Sequence, residues 1–428
     1  MAGHPLKIMI SAGEASGDLH GAYLALGLKE ILSDVEIYGI GGRKMRSAGV
    51  RLIYDSSSWG AIGFTEALRL IPRLLYAKHK ARIYLERNPP DVLILIDFGA
   101  FNVRLRKALN LPGLKTLYFF PPSSWKRNAD YSSLRGIVDR IVTPFPWSAD
   151  NLRNQGFNVD FFGHPLLDTA KPSLSKCDFC ERFGFDINEP IIGLLPGSRL
   201  HEIMRHVPVL VAAASILQSK MPNLQFAIPV APSVSFEILV DELKSVPWIN
   251  AESYITDMSG IADKPSKHHL GVLRQLADIG YHNDSRLKTT IKLLPGMASD
   301  LLAYSRAAAV TSGTATVEGV IHGCPMVIIY KGSRLAEFEY KIRRMKIKYI
   351  GMPNIIMDKE VCPELIQHAA IPGNIADKML PIIEDTPLRD SMIKSLGEIH
   401  KALGEPGAIS KTVGTVLEML GIHDRKLL

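Results

Sequence analysis

Short apolar runs alternate with helix-length segments along the first part of the chain. The runs "IMISA", "EIYGIG", "DVLILID", "KTLYFF", "RIVTPF" and "VDFFG" are strand candidates. Strand–helix alternation of this kind predicts a parallel, doubly wound sheet. The pattern breaks near "GHPLLDTAKPSLSKCDFCERFGFDINEP", where proline, serine and short polar runs predict an interdomain linker. From Pro190 the alternation restarts with "IIGLLPGSR", "LQFAIPV", "TIKLLPGM", "AAVTSGT" and "PMVIIYKG", which predict a second parallel α/β domain. Two last segments, "LRDSMIKSLGEIHKALG" and "ISKTVGTVLEML", read as amphipathic helices whose apolar faces need a surface to cover them. The expected organisation is a first domain over 1–172, a second over 188–385 and a helical tail over 386–428. A polar insertion over 245–288 interrupts the second domain and reads as a loop or lid.

Composition narrows this picture. With 428 residues and 46% apolar content the chain can bury two sizeable cores and is not a disordered polymer. Uninterrupted apolar stretches such as "VLILI" are far short of the ~20 residues a membrane span needs. The N-terminal residues lack the pattern of a signal peptide, so a soluble or peripheral, cytoplasmic protein is expected. Four cysteines are too few for a disulfide framework, and the C-x-x-C of Cys177 and Cys180 has no second pair to hold zinc. No metal and no cofactor is expected. The net charge of +7 favours an anionic partner, whether phosphate, nucleotide, nucleic acid or a membrane surface.

Two strand–turn–helix units in the second domain carry anion chemistry. In "LLPGSRLHEIM" the turn before the helix offers backbone amides, and Arg199 adds a planar positive fork suited to a diphosphate. The plain alternative is a βα turn with a surface arginine. In "TSGTATVEGV", Ser312, Gly313 and Thr314 let a ligand approach the backbone, and Glu318 can accept from the vicinal hydroxyls of a ribose. Here the alternative is a capping hydroxyl and an early-helix glutamate favoured by the dipole. Two such loops in one domain suggest a nucleoside diphosphate at the strand ends.

The first-domain turn "SAGEASGD" differs, because Glu14 and Asp18 repel phosphate where a phosphate loop would attract it. Its spacing fits neither the dinucleotide fingerprint nor the P-loop. Acids here suit sugar hydroxyls, which makes this half a polyol or acceptor site. Asp97 follows five apolar residues in "DVLILID", a setting that raises a carboxyl pKa and suits a general base. Its alternative role is a cap for the segment that follows.

The ordered set "SAGEASGD", "ID", "GHPLLD", "LLPGSR", "TSGTATVE" and "YIGMPNII" resembles the lipid-A-disaccharide synthase family along nearly the whole chain. The resemblance implies a GT-B fold, with two facing Rossmann-like domains and a C-terminal helical tail. It implies an inverting transfer of diacylglucosamine from UDP to a glycolipid acceptor, forming a β(1→6) disaccharide. It assigns Asp97 as base, with Glu14, Ser16 and Asp18 on the acceptor side. It also places Arg199 on the diphosphate, Ser312, Gly313 and Thr314 on the nucleotide, Glu318 on its ribose, and Asn354 of "GMPNII" near the nucleotide. A homodimer through exchanged C-terminal segments, and work at the inner membrane face without spanning it, are implied as well. Glu14 is the second catalytic candidate should the roles of the acids be reversed.

Two motifs depart from the family pattern. "DFGAFN" has Ala100 where the family carries a second aspartate, and "PPSSWKR" keeps only Trp125 of a tryptophan-rich segment. Both bear on the acceptor, so a UDP-sugar transferase with another acceptor is an alternative. A UDP-N-acetylglucosamine 2-epimerase is a second, which would not need acyl-binding surfaces. The segment "WGAIGFTEALRLIPRLLYAKHKARIYLER", read as two helical pieces divided at Pro72, mixes apolar and basic residues, as does 331–348. Such helices lie on anionic membranes or hold acyl chains. Nucleic acid is disfavoured because the basic residues are interleaved with apolar ones, without a stacking platform.

Overall fold

The computed structural model describes residues 5–57, 59, 64–231, 249–252, 289–332 and 348–422. Most of the polar insertion 245–288 and of the basic segment 331–348 lies outside the described residues. The chain divides into two compact units, Met1–Thr169 with Lys401–Leu428, and Ala170–His400.

The first unit is built on a seven-stranded parallel sheet. Its strands are β1 (Leu6–Ala12), β2 (Val35–Gly41), β3 (Arg51–Asp55), β4 (Val92–Ile96), β5 (Lys115–Phe119), β6 (Arg140–Val142) and β7 (Val159–Asp160). They lie in the order β3-β2-β1-β4-β5-β6-β7. The helices are α1 (Ala15–Ile31), α2 (Arg43–Ser47), α3 (Phe64–Arg87), α4 (Gly99–Ala108), α5 (Pro146–Asn154) and α6 (Leu166–Thr169). Every residue of β4 is buried, because helices cover both sheet faces. Alternate residues serve separate cores: Met9, Leu93 and Leu95 on one face, Ile8, Ile10, Ile94 and Ile96 on the other.

The second unit repeats the design with β8 (Ile191–Leu195), β9 (Gln225–Val230), β10 (Ile249–Glu252), β11 (Thr289–Pro295), β12 (Ala307–Thr311), β13 (Met326–Tyr330) and β14 (Glu364–Ile366). The strand order is β10-β11-β9-β8-β12-β13-β14, again parallel throughout. Its helices are α7 (Lys176–Phe183), α8 (Leu200–Lys220), α9 (Ala298–Tyr304), α10 (Thr314–Ile321), α11 (Met352–Met357), α12 (Pro372–Ile383) and α13 (Pro387–Ala402). By length and mean hydropathy α8 is long and apolar enough to cross a membrane, but 72% of its apolar window is buried in the protein, as expected of a core helix.

Each sheet has a switch point, where successive connections leave in opposite directions and ligands of open α/β sheets collect. In the first it falls between β1 and β4, in the second between β8 and β12. The segments that follow these four strands are "GEASGD", Asp97, "PGSR" and "SGT". The topology therefore brings each pair of motifs together.

Pro72 does not divide α3, contrary to the sequence expectation; the helix runs from Phe64 to Arg87. Leu70, Ala77, Ala81 and Leu85 share one buried face. Burying that face outweighs the single hydrogen bond a proline removes. The final helices part company. Met392, Leu396 and Ile399 of α13 are buried in the second unit. The last helix, α14 (Ala408–Leu420), returns to the first, where Val413, Val416 and Leu417 complete a core face. The motif "GHPLLD" is its dock: His164 N donates to Leu403 O at 2.8 Å, and the Asp168 carboxylate accepts from Gly407 N and Ile409 N.

Candidate active site

Asp97 lies just past β4 on a strained turn. Both Asp97 and Phe98 adopt left-handed backbone conformations, at φ 44° and 43°. Non-glycine residues in that region cost on the order of 1–3 kcal/mol each, and they persist only where the surroundings hold them. Here Asn102, fully buried on α4, donates from Nδ2 to Asp97 O at 2.8 Å and Ile96 O at 3.0 Å. Its Oδ1 accepts from Ser11 Oγ at 2.7 Å, which ties the end of β1 to the end of β4. Tyr118 adds a hydroxyl to Asp97 O at 2.8 Å. The Phe98 ring stacks on buried Trp59 at 5.6 Å. It also sits against Gly13, where a Cβ would come 2.3 Å from the ring.

The same turn sets the electrostatics. Burial, and then the charge of Glu14, push the Asp97 carboxyl up to about 6, against an opposing backbone hydrogen bond at Phe98. Two acids from different strands thus share one neighbourhood. Glu14 is the N-cap of α1 by position, but its side chain makes no capping hydrogen bond. Ser16 lies partly exposed in the first turn of α1.

Asp18 departs from the sugar-binding role expected of it. It is buried, and its carboxylate accepts from Gly42 N at 2.6 Å, Lys44 N at 2.9 Å and Met45 N at 3.1 Å. Asp18 therefore caps the start of α2 and is committed to the protein's own backbone. Sequence shows an acid beside a turn; it does not show which amides that acid will meet.

In the second unit, Gly197 takes φ 107°, and a Cβ there would run into the Glu202 carboxylate. Glu202, nearly buried, accepts from Ser198 N at 3.1 Å and Arg199 N at 3.3 Å, and pairs with the Arg199 guanidinium at 2.9 Å. The turn amides expected to receive a phosphate are thus engaged by a carboxylate from within α8. Arg199 remains partly exposed at the end of the turn.

On the neighbouring strand, Gly313 and Thr314 are exposed at the start of α10. Ser312 donates to Ile350 O at 2.7 Å. Glu318 is partly buried, and burial alone lifts its carboxyl to about 7. Asn354, in contrast, is fully buried and spent: it donates to Cys362 O and Glu364 Oε1 and accepts from Val361 N and Cys362 N. Glu364 in turn accepts from Ile350 N and Gly351 N, both at 2.9 Å. Asn354 therefore braces the loop that Ser312 leans on, and its own amide has no capacity left for a nucleotide.

Two supporting residues escaped the sequence reading: Asn102 and Trp59. Asn102 stands in "DFGAFN", which is the sequence signal that points to it. Among the described residues, no group of three or more His, Cys, Asp or Glu side chains has metal-binding geometry.

Comparison with known proteins shows what the chain is similar to. A sequence model of the lipid-A-disaccharide synthetases matches residues 8–257 and 271–405. The chain is 32% identical over 419 residues to the lipid-A-disaccharide synthase of Trichlorobacter lovleyi, covering 98% of both. It is 29% identical over 415 residues to that of Coxiella burnetii, covering 97% of this chain and 98% of the other. Among solved structures, the UDP-GlcNAc 2-epimerase from Neisseria meningitidis bound to UDP-GlcNAc has a TM-score of 0.60 at 12% identity, over 96% of this chain and 100% of that one. MurG of Acinetobacter baumannii has a TM-score of 0.54 at 13% identity, over 97% and 100%. At such identities these likenesses establish the shared GT-B architecture and nothing finer.

Proposed function

The chain belongs to the lipid-A-disaccharide synthetase family, and from that premise we propose how its residues carry the family's reaction. It is a glycosyltransferase that moves 2,3-diacylglucosamine from its UDP derivative to 2,3-diacylglucosamine 1-phosphate. The acceptor's 6-hydroxyl oxygen bonds to the anomeric carbon as the bond to UDP breaks, which inverts the centre and gives a β(1→6) link. Asp97 takes the hydroxyl proton, and the leaving electron pair settles on the diphosphate, which Arg199 draws charge from. Ser312, Gly313 and Thr314 hold the nucleotide, and Glu318 accepts from its ribose. Glu14 and Ser16 orient the acceptor sugar.

The observation that carries Asp97 as base is its strained, braced turn, with a carboxyl held near 6 by burial and Glu14. A base works best when its pKa approaches the working pH, and the usual carboxylate range is too low for that. Glu14 supplies part of the lift and stays in contact with acceptor. Ala100, exposed beside this turn, and Trp125, 38% exposed in the next loop, are the positions at which acceptor identity is read.

The enzyme works at the inner face of the membrane. Support comes from α3, where Ile71, Leu75 and Tyr76 are 44%, 54% and 61% exposed among Arg73, Lys78 and Lys80. It is also a homodimer that uses the C-terminal segment.

The test is mass-spectrometric detection of the disaccharide from purified protein and the two acylated substrates. Asp97→Asn is expected to keep UDP affinity and to lower kcat by about 10²–10⁴. Normal turnover in Asp97→Asn, with none in Glu14→Gln, would make Glu14 the base. Turnover of UDP-N-acetylglucosamine without any acceptor would instead make the chain an epimerase.

A further inference from the structure

Three loops of the second unit converge on one side chain. His206 lies in the second turn of α8 and is completely buried. Its Nδ1 is 2.8 Å from Pro196 O and 3.2 Å from Thr311 Oγ1, while Nε2 accepts from Lys331 N at 2.9 Å. A backbone N–H can only donate, so Nε2 carries no proton and Nδ1 must carry it. The Nδ1–H then donates to the Pro196 carbonyl, which can only accept, and shares that proton with Thr311 Oγ1 as a second, longer acceptor. The tautomer is fixed from both ends. Burial pushes the imidazole down to about 4, which keeps it neutral at any working pH.

The partners give the ring its meaning. Pro196 follows β8 and opens the turn that ends in Arg199; Thr311 ends β12 and precedes Ser312, Gly313 and Thr314; Lys331 follows β13. These are three adjacent strands. Each loop leaves the carboxyl end of its strand, and each would otherwise be free to shift along the sheet edge. An apolar side chain would fill the same volume without linking any of them. A planar ring with donor and acceptor on fixed atoms sets their spacing.

We propose that His206 is a positioning residue of the donor site, a strut that fixes the distance between the diphosphate turn and the ribose turn. The proposal rests on the reading that this unit binds the UDP-sugar. His206 need not touch the ligand. It acts by holding Arg199 and the 312–314 turn at a separation that matches a nucleoside diphosphate, so its loss should appear as donor affinity and not as chemistry.

The experiment compares full-length wild type, His206→Asn and His206→Gln by calorimetry with UDP, by steady-state kinetics and by thermal melting. The Asn amide can place an N–H where Nδ1 stands and keep the bond to Pro196 O. The Gln amide reaches towards Nε2 and gives that bond up. Expected are a rise of about tenfold in UDP Kd and donor KM for His206→Gln, with kcat and acceptor KM within about twofold, and substantial recovery in His206→Asn. Equal UDP affinity in all three proteins overturns the strut. So does a loss in both variants that follows melting temperature and acceptor KM in step, since that marks a fold contact only. Wild type that fails to bind UDP removes the donor reading itself, a result distinct from either.

Discussion

Asp97 and Glu318 are acids lifted towards neutrality mainly by burial, and on the proposed roles each must be ionised to work. Asp97 must be ionised to accept a proton, so its raised pKa is useful only above about 6. The kcat profile is expected to rise through about pH 6 and level off beyond it, and Glu14→Gln should move that limb to lower pH by removing a like charge. Glu318 must be ionised to accept from a ribose, and its carboxyl stands at about 7 in the free protein. Ribose hydroxyls stabilise the ionised form, so binding expels a proton below that pH. Uridine affinity, free of phosphate titration, should therefore fall by up to about tenfold per pH unit below 7 and become flat in Glu318→Gln; a flat wild-type profile by calorimetry would remove the ribose contact. Asp97 was legible in the sequence because an acid that ends an apolar strand is conspicuous. Asn102 was not, since its work is a hydrogen bond to Ser11, 91 positions away. Asp18 and Asn354 show the converse: both stand within the recognised motifs, and both side chains are consumed by backbone amides and carbonyls.

Elements were legible according to how deeply they are buried. The central strands β1, β4, β8 and β12 form continuous apolar runs because helices cover both their faces. Of the four edge strands, β3, β10 and β14 went unread, since "RLIYD" has exposed ends and "ELI" is only three residues long, whereas β7 was read from the apolar run "VDFFG" that it begins. Capping interactions were hidden for the same reason, as they join elements distant in sequence. Asp18→Ala should lower stability to urea by about 1–3 kcal/mol, because three backbone donors at the start of α2 lose their acceptor. UDP affinity should be unchanged, and a dead but fully stable variant would return Asp18 to the substrate. On α3 the exposed pair Ile71 and Leu75, four residues apart, is the contact that the proposed membrane role would use. Replacing both with serine should release the protein from sedimenting phosphatidylglycerol vesicles while activity on detergent-dispersed substrate is retained; undiminished vesicle binding would place the membrane contact elsewhere.

At the scale of the whole molecule, the proposed dimer turns on α14. Its residues Val413, Val416 and Leu417 are buried against the first unit's core, where α14 packs on α1. Burial of side chains of this size is worth roughly 1.5–3 kcal/mol each, so the helix is a required part of that unit. The dock itself, Gly163 to Asp168 receiving Leu403 to Ile409, is a self-contained set of backbone and carboxylate hydrogen bonds. The same bonds form equally well whether the segment comes from its own chain or from a second copy, which is the physical basis of segment exchange. The dimer proposed above is compatible with this dock, and on that reading light scattering should give twice the 47.2 kDa of one chain. The route of the segment can be read separately. A Cβ at Gly27 would lie 3.0 Å from Val413 Cγ2, so cysteines at these two positions are close enough to oxidise to a disulfide. With Cys177, exposed on α7, replaced by serine, Gly27→Cys with Val413→Cys should run on a non-reducing gel at twice the chain mass if α14 is exchanged. A band of single-chain mass from a protein that scatters as a dimer would keep α14 at home and move the interface to another surface. A monomer at micromolar concentration would remove the dimer altogether.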